Sequence, residues 1–236
     1  MALRTEREPN RFNGFPPLSR VRAAQRRRSD PEAREIFLDT RCDQPEVSSP
    51  MSANPQPTLK TARLLLRPFA LDDASQVQRL AGAREVADTT LLIPHPYENG
   101  MAEQWIATLG PKWEQKESAV FANVIRDTQQ LCGAIGLKLD PVHATAEMGY
   151  WVGVPFWGQG YCTEAGREMV RFGFQQLGLN RIHAHHFARN PASGRVLQKL
   201  GMRHEGCLRQ HVRRWGRFED LECYGILRSE SAASAA

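Results

Sequence analysis

The chain has 236 residues, 41% of them hydrophobic, enough to bury a full core and to suggest one domain with an appendage. Residues 1–57 hold ten Arg against eight acids (+2) and residues 58–236 hold 21 Lys or Arg against 18 acids (+3), so neither part is polarised strongly enough to mark a nucleic-acid binder. Five cysteines without C-x-x-C or Cys/His ligand spacing imply no disulfide framework or zinc site and fit a cytoplasmic setting, and no apolar run approaches the roughly 20 residues that cross a bilayer.

Residues 1–57 are rich in Arg, Pro and Ser, include Arg26-Arg27-Arg28, and lack sustained apolar periodicity, so the expectation is a disordered extension with one short helix near 31–38. Met51 stands just before the first patterned segment, which suggests it as the native start; a natively expressed species retaining residues 1–50 would contradict that. The organised domain is expected over 58–230, with a disordered tail at 231–236. Its first elements are a strand at 63–69 and a helix at 71–83 marked by Asp72 and Asp73. A second helix is expected over 98–116, interrupted around Gly110-Pro111. Strands at 119–126 and 131–139 flank a polar turn at 127–130, the pattern of a hairpin, and another strand covers 144–153.

Next comes Val154-Pro155-Phe156-Trp157-Gly158-Gln159-Gly160-Tyr161-Cys162-Thr163-Glu164-Ala165, which joins that strand to a helix over 160–177 through two close glycines. Glycine lets the backbone turn sharply and approach a ligand, and the first helical turn offers unpaired N–H groups and a partial positive charge. Such a turn can cradle a diphosphate, although two glycines also serve an ordinary turn. The spacing is neither Gly-x-x-x-x-Gly-Lys-Ser/Thr nor Gly-x-Gly-x-x-Gly, because Thr163 stands where the third glycine would be. A diphosphate gripped by main-chain amides alone fits coenzyme A. Cys162, beside this terminus, reads as a small buried residue, although a helix N-terminus can in principle lower a thiol's pKa.

The rest of the chain alternates a strand at 181–187, a short helix at 191–200, and a final strand pair, 202–214 with 218–227, around Trp215-Gly216-Arg217. No internal repeat is present. This order implies an α/β (α+β) fold with a mixed, mostly antiparallel sheet and helices on both faces. His183 and His185 fall on one strand face and His186 on the other, with no acid or Cys at ligand spacing, so no metal site is expected. The five tryptophans read as packing residues. Arg203, Arg209, Arg213, Arg214 and Arg217 do not share one strand face, which argues against a nucleic-acid surface.

These pieces together resemble the GNAT superfamily of acyl-CoA-dependent N-acyltransferases, in particular the branch of ribosomal-protein N-terminal acetyltransferases. The resemblance runs over roughly 59–228. It rests on Leu59-Lys60-Thr61-Ala62-Arg63-Leu64-Leu65-Leu66-Arg67-Pro68-Phe69, Ala146-Glu147-Met148-Gly149-Tyr150-Trp151-Val152, the Pro-x-Trp-Gly-x-Gly-Tyr-x-x-Glu-Ala turn, Asn190-Pro191-Ala192-Ser193, Val196 to Met202, Glu205 to Arg209, Asp220 and Tyr224. Pro155 stands where the wider superfamily favours Gln or Arg.

The resemblance implies acetyl-CoA as co-substrate and a primary amine as acceptor, either a protein N-terminus such as that of a ribosomal protein or a small molecule such as a polyamine, aminoglycoside or amino acid. It also implies that the strands at 144–153 and 181–187 splay apart, with the backbone of Trp151 and Val152 at the thioester and pantetheine and with Gly158, Gln159, Gly160 and Tyr161 at the pyrophosphate. Asn190 would line the coenzyme channel and Ser193 would act as general acid beside the sulfur. The residues themselves also permit a structural Asn190, as the cap of a helix that opens on proline. Glu147 is the candidate base, its pKa expected to rise near an apolar cleft, and pairing with a cation is the competing role. His211 is a second candidate base, Tyr224 a second candidate acid, and Glu205 reads as structural. Residues 91–97 should wall the acceptor pocket. A non-catalytic CoA-binding regulatory module is the rival reading, disfavoured by the joint presence of Glu147, Asn190 and Ser193.

Overall fold

A computed structural model describes residues 55–231; the readings for the N-terminal extension, Met51 and the last five residues fall outside it. One sheet of eight strands organises the described residues, in the order β1-β2-β3-β4-β5-β6-β8-β7. The strands are β1 (Leu59–Lys60), β2 (Leu64–Arg67), β3 (Ser118–Ile125), β4 (Leu131–Asp140), β5 (Thr145–Val152), β6 (Arg181–Phe187), β7 (Arg203–Arg214) and β8 (Arg217–Leu227). Every pairing is antiparallel except β5 with β6.

The helices are α1 (Ala74–Ala81), α2 (Arg84–Asp88), α3 (Met101–Glu114), α4 (Tyr161–Gln175), α5 (Pro191–Lys199) and α6 (Arg228–Ser231). Helix α4 buries Ala165, Met169 and Phe172, steps of four and three residues that form one apolar stripe, against Leu64, Leu66, Phe121 and Leu137 of the sheet. Helices α1 and α3 cover the opposite face, where Val77, Leu80 and Ile106 pack with Ala122, Val124 and Leu131. The layers form because β3 carries apolar residues on both faces, as a strand covered on both sides must.

Two local expectations need correction. Helix α3 continues through Pro111, which lies in its exposed last turn where a missing N–H removes a single intrahelical bond; the helix stops instead at Gln115 and at the left-handed Lys116. Helix α2 was not anticipated, because its five residues bury only Val86 and Ala87 and so show no periodicity.

Asp73 ties β2 to the start of α1. It is 4% exposed, bonds both Nη atoms of Arg67 at 2.7 and 2.8 Å, and accepts from the Ala70 N–H at 2.9 Å. Burial opposes its ionisation, but the Arg67 hydrogen bonds, the Ala70 N–H and the Arg67 charge outweigh burial and hold the carboxyl below the usual range. A depressed carboxyl stabilises the fold above its unfolded pKa of about 4 and loses that contribution as pH falls through the folded value. Asp73→Ala is therefore expected to cost about 2–3 kcal/mol at neutral pH, the low end for a broken buried pair because Arg67 is part-exposed, and to flatten the acid limb of stability. Urea denaturation at neutral and acid pH checks both effects.

Candidate active site

Strands β5 and β6 pair only through Thr145–Arg181, Ala146–Ile182 and Glu147–His183. Beyond Glu147 the two strands part, β6 continuing with β8 alone and β5 with β4 alone, so a gap opens at their C-terminal ends. This is the splay that the resemblance implied. Trp151 and Val152 lie on its β5 side, and the Val152 carbonyl accepts from the Trp157 indole N–H at 2.6 Å, which folds the following turn back onto the strand.

Gly158 and Gly160 have φ of +75° and +83°, a region that side chains rarely adopt, so both positions demand glycine. A Cβ at Gly158 would meet nothing within 4 Å, so conformation and open space, rather than packing, keep that residue bare. Glu164 donates its N–H to the Gly160 carbonyl, and among the described residues no backbone acceptor pairs with the amides of residues 158–163. A row of N–H groups without a backbone acceptor therefore stands at the start of a helix of 15 residues, where the helix dipole adds positive potential. The arrangement fits a diphosphate.

Arg63 holds this turn from outside the motif. Its Nη1 donates to the Gln159 carbonyl at 3.0 Å, its guanidinium lies 4.7 Å from the Tyr161 ring centre, and its Nε meets Glu164 at 2.7 Å. Glu164 also accepts from Thr61 Oγ1 at 2.6 Å and from the Arg63 N–H at 2.7 Å. Neither residue was singled out from the sequence, yet Thr-x-Arg and the Glu of the cradle motif were the visible signal. Cys162, by contrast, is an inert packing residue, its thiol pushed up to about 12 by burial.

Asn190 caps α5, its side chain accepting from the Ser193 N–H at 3.4 Å, and Pro191 opens the helix. Ser193 thereby faces β5, and its Oγ lies 2.7 Å from the Tyr150 hydroxyl, either of which can donate. Burial pushes the Tyr150 hydroxyl well above the ordinary phenol range, so it stays protonated. Tyr150 was missed as a site residue; strand alternation, which puts it on the same face as Ala146 and Met148, was the available signal. Tyr224 packs instead between His186 and His204, with ring centres 5.6 and 5.1 Å away, and its hydroxyl meets Gln198.

Glu147 projects from the opposite face of β5, 47% exposed, with its Oε1 3.4 Å from His185 Nδ1. The hydrogen bond from His185 lowers the carboxyl's pKa, burial opposes this, and the charges of His185, His183 and Lys138 add to the lowering. The expectation of a raised pKa is thus reversed, because the partner lies on a neighbouring strand that local sequence does not reveal. His183 and His185 share that face with rings 5.5 Å apart, while His186 is buried on the other face. Among the described residues no group of three or more His, Cys, Asp or Glu has metal-ligand geometry. His211 lies in an exposed bulge of the edge strand β7, with β8 and β6 between it and the gap, and Glu205 pairs with Arg181 at 2.6 Å.

The segment 91–97 is fastened to the β7–β8 hairpin. Arg214 donates to the carbonyls of Leu91, Ala87 and Ile93 at 3.1, 2.9 and 2.5 Å, and Trp215 lies beside His95. Arg189 links the same region through Asp88 at 2.7 Å and Glu219 at 3.0 Å.

Comparison with known proteins agrees with this geometry. The description "Acetyltransferase (GNAT) domain" matches residues 63–203. The N-acetyltransferase YoaA of Bacillus subtilis (strain 168) is 33% identical over 177 residues, covering 73% of this chain and 97% of that protein. The ribosomal-protein-serine acetyltransferase of Escherichia coli (strain K12) is 30% identical over 96 residues, 40% of this chain and 54% of that protein. The solved structure of spermidine N-acetyltransferase from Vibrio cholerae in complex with CoA and spermine shares the fold, with a TM-score of 0.64 and 21% identity over 73% of this chain and 99% of that one. With the family match spanning more than half of its residues, and YoaA matched along nearly its whole length, the chain belongs to the GNAT family and is an N-acetyltransferase.

Proposed function

We propose that the chain transfers the acetyl group of acetyl-CoA directly to the primary amine at a protein N-terminus, of the kind a ribosomal protein presents. The carrying observation is the cradle of amides at 158–163 opening beside the gap between β5 and β6. The Ser193–Tyr150 hydroxyl pair lies toward one sheet face of that gap, and the Glu147–His185 pair toward the other. The amides of 158–163 would grip the pyrophosphate, and the backbone of Trp151 and Val152 would align pantetheine and polarise the thioester carbonyl. Alignment of amine and thioester supplies several kcal/mol through effective concentration. The hydroxyl pair would hydrogen-bond the departing sulfur and give it a proton, and Asn190 would set the pitch of α5 that brings Ser193 there. The name of the Escherichia coli relative supports the protein acceptor, as does the sequence resemblance to its branch. The spermine held in the Vibrio cholerae structure favours a polyamine as the second reading.

Thiol release from acetyl-CoA against peptides with free N-termini, polyamines, aminoglycosides and amino acids tests the proposal. Turnover with peptides is expected. Turnover with polyamines alone would move the acceptor to the second reading, and no turnover with any amine would leave a CoA-binding module.

Ser193→Ala and Tyr150→Phe are each expected to lower kcat about tenfold while coenzyme A affinity changes less than about twofold. Because the two hydroxyls share one hydrogen bond, the double variant should lose much less than the product of the single losses. Steady-state kinetics with titration calorimetry separates the two effects; a multiplicative double variant contradicts the shared role.

A further inference from the structure

We propose that His185 receives the proton from the incoming ammonium, and that Glu147 orients this imidazole and balances its charge. The inference rests on the acetyl-transfer reading and names the proton acceptor within that site. Glu147 and His183 are the last pair before β5 and β6 part, and His185 is the next residue on the same face of β6, so the imidazole stands at the root of the gap. Glu147 is ionised near neutral pH, so His185 Nδ1 carries a hydrogen toward Oε1, and Nε2 keeps its lone pair. The hydrogen bond seen for His185 among the described residues is the one its Nδ1 makes to Glu147. A carboxylate behind an imidazole fixes its tautomer and stabilises the imidazolium that forms, the logic of a carboxylate–histidine dyad. The carboxylate itself is a weak proton acceptor here, since the same contact lowers its pKa.

The surroundings favour His185 over its neighbour. Burial lowers the pKa of His183, which keeps that ring neutral. Lys138 of β4 stands opposite Glu147, Cys223 of β8 stands opposite His185, and Arg181 on β6 is engaged by Glu205 of β7. Glu147 is thus the carboxylate in hydrogen-bond reach of the imidazole. One ammonium proton passes to His185 Nε2, which frees the nitrogen lone pair. The C–N bond then forms as the C–S bond breaks, and the thiolate takes a proton from the Ser193–Tyr150 pair. The second proton leaves the nitrogen for solvent, His185 gives its proton to solvent, and the hydroxyl pair is recharged from solvent, a net release of one proton.

The test is kcat/KM against pH, from about 5.5 to about 9.5, for the unmodified chain, His185→Gln and Glu147→Gln with an amine turned over by the unmodified chain. His185→Gln should lose about 100-fold at neutral pH and recover to within about tenfold at the alkaline end, where the amine deprotonates unaided. Glu147→Gln should lose about tenfold, because the imidazole loses the carboxylate that fixes its tautomer. A structural role for His185 would lower the rate equally at every pH. An unaltered acid limb in His185→Gln, or a loss below about threefold throughout, overturns the proposal. Carbon-13 histidine NMR on the coenzyme A complex gives an independent reading, with His185 expected to hold the Nδ1–H tautomer in the unmodified chain and to lose that preference in Glu147→Gln. An unchanged tautomer overturns the pair. If the unmodified chain acetylates no amine, the acetyl-transfer reading fails instead, and the NMR tautomer reading alone decides whether the imidazole and carboxylate are coupled.

Discussion

Replacing Gly160 by tryptophan is expected to weaken coenzyme A binding by more than about 100-fold, which corresponds to about 3 kcal/mol. Two separate effects combine. The residue holds φ of +83°, and an L side chain in that region costs about 1–2 kcal/mol of local strain. A Cβ there would lie 3.5 Å from Arg63 Nη2, an ordinary contact, so the first atom is accommodated while the indole must fill the space in front of the amides. Those amides then lose access to an anion, and the grip on a diphosphate goes with them. Gly160→Ala separates the terms, since it carries the strain without the bulk and should weaken binding by only about tenfold. Titration calorimetry on all three proteins, with circular dichroism to confirm folding, measures the difference. A folded tryptophan variant that binds as the unmodified chain does would contradict a diphosphate at this turn.

Arg214→Met is expected to cost about 3 kcal/mol of stability and to raise the KM of the acceptor without altering coenzyme A affinity. Three backbone carbonyls, of Ala87, Leu91 and Ile93, take their hydrogen bonds from this one guanidinium. A charge-assisted bond contributes about 1.5–3 kcal/mol, and the loss is discounted because Thr90 also donates to the Ala87 carbonyl. Among the described residues the buried Arg214 Nε has no partner, and burial lowers the group's pKa, so the residue is held against a desolvation penalty by the bonds it makes. For a domain of this size the loss corresponds to a Tm lower by about 6–12 °C. Scanning calorimetry reads the stability, and acceptor titration at saturating acetyl-CoA reads the KM. A Tm within about 2 °C of the parent would show that the segment 91–97 holds its place without the clamp.

What the sequence reveals and what it conceals divide by the range of the interaction. Strand β6 is legible to its boundaries, and α4 to within two residues, because alternation at 181–187 and the 165–169–172 stripe are local patterns. The cradle is legible for the same reason: Gly158 and Gly160 advertise their positive φ, and Asn190-Pro191 advertises a capped helix. Partnerships between elements distant in sequence are not. Arg63, just before β2, meets Glu164 of α4 across 101 residues, Tyr150 of β5 meets Ser193 of α5 across 43, and Glu147 of β5 meets His185 of β6 across 38. The last pair is set by strand register and the first two by helix docking on the sheet, neither of which a local signal encodes. The direction of the Glu147 pKa was therefore misjudged, since burial was visible in the pattern and its imidazole neighbour was not. The clamp made by Arg214 was not anticipated either, because its carbonyl partners lie more than a hundred residues earlier.

Acetyl-CoA titrated into the unmodified, folded chain by calorimetry tests the central claim most directly. One site with a Kd in the micromolar range is expected, abolished by Gly160→Trp and competed by coenzyme A. Absence of any binding heat across several temperatures, on protein whose circular dichroism shows it folded, would contradict the assignment of the cradle and the function built on it.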